Sequence, residues 1–161
     1  MTLSIRPAVV EDADTLLRFI RELAEYEREP DAVETTVDDL RAQLAAERPP
    51  FEAVIAEVDG TPVGFALFFQ NYSTWKGTPG TYLEDLYVTT TARGTGVGKA
   101  LLEHLARLTL ERGWTRFEWA VLDWNEPAIE FYKAFGAQPM NTWTVHRVTG
   151  DALARLAEQG A

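Results

Sequence analysis

Cysteine is absent from the 161 residues. That excludes disulfides, a thiolate metal site and any cysteine nucleophile. Long hydrophobic runs are absent too, the longest falling far short of the ~20 residues a membrane span requires. Positive charge is in deficit: 15 basic residues face 25 acidic ones, for a formal net charge of −10. Such a surface repels phosphate backbones on average, so nucleic acid is not an expected partner, whereas a cationic molecule is attracted. The same charge also serves simply to keep a protein soluble, so it supports a functional case without making one. Residues 1–6 alternate as a strand does and lack the basic start and apolar stretch of a secretory leader. A cytoplasmic protein without a membrane segment is the expectation. What is present is ordinary globular material, 46% hydrophobic and 25% charged, of a length that suits one domain spanning 1–161.

The hydrophobic period switches along the chain. Residues 3–6 read as a strand ended by Pro7. Ala13, Leu16, Leu17, Ile20, Leu23 and Ala24 then recur at helical spacing. Thr36-Val37-Asp38-Asp39 resembles a capping box opening a short helix that carries Leu40 and Leu44. Residues 51–58 and 62–69 flank Asp59-Gly60 as a hairpin. A loop over 73–80 leads to a strand over 82–88, a glycine-rich loop, and a helix over 98–112 with Leu101, Leu102, Leu105 and Leu108 on one face. A strand over 116–122, a helix from Glu126 to Phe135 with Pro127 in its first turn, a last strand over 142–148 and a terminal helix at about 150–159 complete the chain. The order β-α-α-β-β-β-α-β-α-β predicts one α/β domain, a central mixed sheet flanked by helices, with any ligand at the carboxyl ends of the parallel strands.

Arg93-Gly94-Thr95-Gly96-Val97-Gly98-Lys99 carries the chemistry. It follows an apolar strand and opens a helix, the context in which glycines let backbone N–H groups converge on an anion at a helix N-terminus. Arg93 and Lys99 flank it and can pair with phosphate oxygens. The glycines at 94, 96 and 98 miss the G-x-G-x-x-G spacing of dinucleotide folds. Gly98-Lys99 is followed by Ala100, so the hydroxyl of a P-loop is missing too. An anion cradle of another kind is indicated, the alternative being a glycine-rich connection without a ligand.

Arg93-x-x-Gly96-x-Gly98 resembles the pyrophosphate-binding motif of the GNAT acetyltransferases. Tyr82-Leu83-Glu84-Asp85-Leu86-Tyr87-Val88 is similar to that family's bulged fourth strand. The run from Asn125 through Glu126-Pro127-Ala128-Ile129-Glu130-Phe131-Tyr132 to Gly136-Ala137 is similar to its second conserved segment. Ile5-Arg6-Pro7-Ala8, Glu22-Leu23-Ala24-Glu25-Tyr26-Glu27, Tyr82-Leu83-Glu84-Asp85 and Trp124-Asn125-Glu126-Pro127 resemble the diamine (spermidine/spermine) N-acetyltransferase branch, which also acts on thialysine-like amines. The resemblance runs from about Leu3 to about Val148. It departs at residues 75–81, about one residue longer here, and at residues 138–144, where Pro139 and Trp143 depart from the polyamine enzymes.

The resemblance implies acetyl-CoA as co-substrate, no metal, a small amine as acceptor and a homodimer, for which Trp143 on the last strand is suited. Gly94, Thr95, Gly96, Val97, Gly98 and Lys99, with Arg93, are expected to hold the pyrophosphate. Leu86, Tyr87 and Val88 are expected to bond the pantetheine arm as an added strand and to offer an oxyanion donor. Tyr132 is implied as the acid that protonates the leaving thiolate, its alternative being a core tyrosine beside Ile129. Asn125 is implied to contact the cofactor, with a plain helix N-cap as its alternative. For the acceptor ammonium the resemblance favours Glu84, as ligand or as base through water, with Asp85 as the alternative, since neighbours on a strand face opposite ways. Tyr26, Glu27 and Trp75 match groove positions of that branch, an aromatic over a cation being physically sensible. Without cysteine, and with no G-x-S-x-G elbow, direct attack of the amine on the thioester is the economical route. The competing functions are acetylation of a protein amine and acyl-CoA binding without catalysis.

Overall fold

The computed structural model describes residues 1–159, and the chain divides into two compact units, Met1–Leu122 and Asp123–Ala161. The first unit is built on one sheet in the order β1-β2-β3-β4-β5, with β1 at Leu3–Pro7, β2 at Glu52–Val58, β3 at Thr61–Ser73, β4 at Thr78–Val88 and β5 at Phe117–Trp119. The first four strands are antiparallel neighbours and β5 joins β4 in parallel. The sheet is therefore mixed, as expected.

Alternation along the strands gives each face its own core. Ala53 and Ile55 of β2, Phe65 and Leu67 of β3, and Tyr87 of β4 pack with Leu16, Leu17 and Phe19 of α1 (Ala13–Tyr26) and Leu40 of α2 (Val37–Leu44). The intervening residues Val54, Ala56, Ala66 and Phe68 are buried on the other face. That face belongs to α3 (Val97–Glu111), which buries Val97, Leu101, Leu102 and Leu105. Burying each such aliphatic side chain stabilises by about 1.5–3 kcal/mol, so the α3 stripe alone fixes where its first turn sits. A buried hydroxyl pair, Thr81 on β4 and Thr109 on α3 at 2.7 Å, adds a polar link on this face.

The Arg6 of the N-terminal signature is structural. Its guanidinium bonds both oxygens of Asp12 at 2.8 and 2.9 Å and reaches Glu57, tying β1 to the turn before α1 and to β2. The capping box at Thr36 forms with Asp39 as its reciprocal partner.

Three expectations change. The stretch 73–80, read as a loop from its Gly, Pro and Thr content, narrows to a turn over 74–77, with Ser73 closing β3 and residues 78–80 opening β4. Register pairing from Asn71↔Gly80 to Ser73↔Thr78 overrides the local signal, and Pro79 is tolerated close to a strand start. β5 is three residues rather than seven. Residues 142–148 form no strand among the described residues and are exposed throughout, so the order closes β-α-α, with α4 at Glu126–Lys133 and α5 at Gly150–Gln159. A strand is defined by its partner, and this stretch has the alternation without the ladder.

Candidate active site

The anion loop sits where a strand end is converted to a helix start. After β4, a single 3₁₀ turn at Thr90–Ala92 delivers Arg93, and Gly96 is the N-cap of α3. Gly94 and Gly96 take φ of 76° and 89°, the left-handed region where other residues are strained by about 1–3 kcal/mol. A Cβ at either position would meet nothing within 4 Å. Glycine is therefore needed for the backbone course, and the space above the loop is open. No side chain caps α3, so the first-turn N–H groups face outward as an anion site requires. The Thr95 hydroxyl turns back to donate to the Ala92 carbonyl, and Lys99 lies 3.6 Å from Glu103. A pyrophosphate fits such a cradle: backbone donors, helix dipole and room.

β4 is splayed just before the loop. Its ladder to β5 spans only Thr81, Tyr82 and Leu83, while its ladder to β3 runs to Val88. Residues 84–88, including Leu86, Tyr87 and Val88, thus have a strand neighbour on one side only. An extended, amide-bearing ligand can complete the other side as an added strand.

A bulge sets the acids. Leu67 pairs with Asp85 and Phe68 with Leu83, leaving Glu84 as the extra residue on β4. Residues opposite one another share a face, so Leu83 follows Phe68 toward α3, and Asp85 follows Leu67 toward α1. Without the extra residue, Leu83 and Asp85 would point the same way. Asp85 is consequently half-buried, and its carboxyl is pushed up to about 6 by that burial, then by Glu84 and Glu27. Glu27, the C-cap of α1, is raised by burial and by Glu84. Glu84 itself is exposed. Three carboxylates thus converge from two elements, as suits a cationic ligand and disfavours a neutral one.

The end of α1 is held in place by its own turn. Arg28 adopts φ 66° and the Glu29 N–H reaches back to the Ala24 carbonyl at 2.9 Å, a left-handed stop made without glycine. Tyr26, in the last turn, receives the Arg93 guanidinium at 4.9 Å from its ring centroid. Arg93 also lies 5.6 Å from the Tyr87 ring, and its Nε donates to the Val88 carbonyl at 3.0 Å. Burial and the neighbouring Glu22 carboxylate hold the Tyr87 phenol above its usual range, with Arg93 acting the other way.

In the second unit, Pro127 opens α4, and the Asn125 side chain accepts from the Ala128 N–H at 3.4 Å, so Asn125 is a helix N-cap. Tyr132 sits in the last turn, its ring 5.6 Å from that of Phe131. Gly136, at φ 84°, stops the helix.

The first unit therefore brings together the 93–99 loop, residues 86–88, Tyr26, Glu27, Glu84 and Asp85. It does not bring Trp75 to them. Trp75 is exposed in the turn between β3 and β4, and the six residue steps along β4 from Thr78 to Glu84 span about 20 Å. Sequence reading missed a groove of about 730 Å³ between α1 and the end of β4, lined by Arg18, Glu22, Tyr26, Tyr87, Thr89 and Arg93 among others. Tyr26, Tyr87 and Arg93 were named from the sequence one by one; that Arg18, Glu22 and Thr89 join them in one groove depends on how α1 packs against the sheet. No helix of the described residues is long and apolar enough to cross a membrane, and no group of acidic or histidine side chains among them is arranged to hold a metal.

The sequence profile of the acetyltransferase (GNAT) family matches residues 16–137. Thialysine N-epsilon-acetyltransferase of Bos taurus is 40% identical over 164 aligned positions, covering 95% of this chain and 96% of that one. The spermidine/spermine N(1)-acetyltransferase-like protein 1 of Homo sapiens is 32% identical, covering 95% of this chain and 23% of that protein. Among solved structures, integron cassette protein VCH_CASS6 from the mobile metagenome of V. cholerae superposes with a TM-score of 0.81 at 28% identity. That alignment covers 98% of this chain and 99% of the other.

Proposed function

The chain belongs to the GNAT family and is an acetyltransferase of its spermidine/spermine branch, and from that premise we propose that it acetylates a primary amine of a small cationic acceptor of the thialysine, diamine or polyamine type. The family's co-substrate is acetyl-CoA. On this reading residues 1–161 act as one catalytic domain, as a homodimer, in the cytoplasm.

The observation that carries the proposal is the meeting, on β4, of the splayed segment 84–88 with the acidic cluster of Glu27, Glu84 and Asp85. The 93–99 loop holds the pyrophosphate through backbone N–H groups and the start of α3. Residues 86–88 bond the pantetheine arm, and one of their N–H groups steadies the oxyanion. The acidic cluster draws in the ammonium, and Glu84, or Asp85, takes its proton directly or through water. The free amine then attacks the thioester carbonyl, forming the C–N bond, and the C–S bond breaks. Tyr132 gives its phenolic proton to the departing thiolate, and the proton that the attacking nitrogen sheds on becoming an amide returns through water to the Tyr132 phenolate. The products are the acetamide and the free thiol. Asn125 starts α4 and so sets the helix that carries Tyr132.

An acetyl-transfer screen over thialysine, diamines, spermidine, neutral amino acids, aminoglycosides and lysine-bearing peptides tests this. Preference for a small acceptor with two or more positive charges is expected. A preference for peptides, or no transfer to any amine, would overturn it.

A further inference from the structure

Arg93 begins the anion loop, yet its side chain is turned away from the glycines toward α1. The guanidinium carbon stands 4.9 Å from the centroid of Tyr26 and 5.6 Å from that of Tyr87, and Nε is bonded to the Val88 carbonyl at 3.0 Å. Tyr87 is buried and packed on Phe19 of α1 at 5.9 Å, so it is a fixed wall. Tyr26 is partly exposed in the last turn of α1. The residue after it is Glu27, whose carboxyl is sensed by Asp85 and senses Glu84. The end of α1 is therefore gripped by a cation that belongs to the donor loop.

Guanidinium is suited to this because it stacks with its face while its edge donates to oxygens. One side chain can hold an aromatic ring and a carbonyl at once, and still turn an N–H edge toward a phosphate. An ammonium cannot combine those contacts.

We propose that Arg93 is a positioning residue for the acceptor side of the reaction: by clamping Tyr26 against the end of β4 it fixes where Glu27 stands relative to Glu84 and Asp85. The donor loop and the acceptor groove then share a mechanical link, and loading of the loop steadies the groove. This rests on the reading of the acidic cluster as the acceptor site, and its test separates the two claims.

Arg93→Lys keeps the charge that a phosphate needs but loses the planar stack and the Nε donor. With saturating acetyl-CoA and the best amine from the screen above, its acceptor KM is expected to rise about five- to tenfold. The KM for acetyl-CoA should stay within about threefold of wild type. Tyr26→Leu should raise acceptor KM comparably, Tyr26→Phe should not, and Arg93→Lys with Tyr26→Leu should do no more than either alone. An acceptor KM unmoved by Tyr26→Leu overturns the proposal even where the Arg93 variant folds poorly. So does a change in Arg93→Lys confined to acetyl-CoA, which would mark a phosphate ligand only. A readout independent of turnover is amide hydrogen exchange in residues 22–28, which should quicken several-fold in Arg93→Lys and Tyr26→Leu; unchanged exchange in both overturns the link. Failure of the substrate reading shows separately, as absent transfer by the wild type.

Discussion

The two ends of the splayed segment on β4 are made of different material. At its carboxyl end the proposed donor loop is backbone: Gly94 and Gly96 in left-handed conformation, an uncapped α3 start, and open space where a Cβ would sit. At its amino end the proposed acceptor cluster is side chain: Glu27, Glu84 and Asp85, brought from a helix end and a strand bulge. A backbone site recognises charge and shape that many substrates of one class share, so it tolerates sequence change as long as glycine stays. The proposed side-chain site is set by where three carboxylates stand, and it shifts with every residue that moves them.

Four substitutions probe that contrast, in descending order of effect. Tyr132→Phe removes the proposed proton donor, which belongs to neither end. Turnover should fall on the order of 10²-fold or more, with acetyl-CoA binding by calorimetry largely kept. Unchanged turnover would take Tyr132 out of the chemistry. Gly96→Val strikes the backbone end, where φ is 89°. It should raise the KM for acetyl-CoA about tenfold or more and lower the thermal midpoint by a few degrees, with acceptor KM little changed. If the acceptor KM moved as much, the two ends would not be separable.

The remaining two substitutions address the side-chain end and its protons. Asp85 is held at about 6, against an ordinary carboxyl near 3.8. The cluster therefore loses negative charge as pH falls through 6, and acceptor KM should rise several-fold between pH 7.5 and 5. In Asp85→Asn that rise should be largely abolished, whereas Glu84→Gln should raise acceptor KM at all pH values in the range. Because the folded state binds this proton more tightly than the unfolded chain, ionised Asp85 opposes folding increasingly as pH rises from 3.8 to 6, and fully above it. Asp85→Asn should accordingly raise the thermal midpoint at pH 7.5 and leave it unchanged near pH 3.5. A midpoint that falls at pH 7.5 would show that the carboxylate is paired rather than repelled.

Much of this was readable in advance, and the reasons differ by element. The glycine loop announces itself because left-handed backbone and an open helix start demand particular residues at particular spacings. Asn125 and Pro127 likewise mark the start of α4 by local chemistry. The bulge at Glu84 was expected only through family resemblance, because nothing in Leu83-Glu84-Asp85 itself says which residue is extra; the register against Leu67 and Phe68 decides it. Trp75 looked like a groove residue until the hairpin extended to Ser73 and Thr78 and carried it to the far tip. Residues 142–148 alternate like a strand, and alternation alone does not supply a partner.

The sequence by itself determined the family, the helices with strong apolar stripes, the anion loop and the acidic, cysteine-free character that leaves direct amine attack as the economical chemistry. These follow from residue type and short spacing, which are local. The tertiary structure decided which face Asp85 takes, that β4 parts from β5 after Leu83, and that Arg93 reaches Tyr26 rather than only its own loop. Each of those depends on register or on packing between residues many positions apart, and a chain of residues read in order carries no term for either.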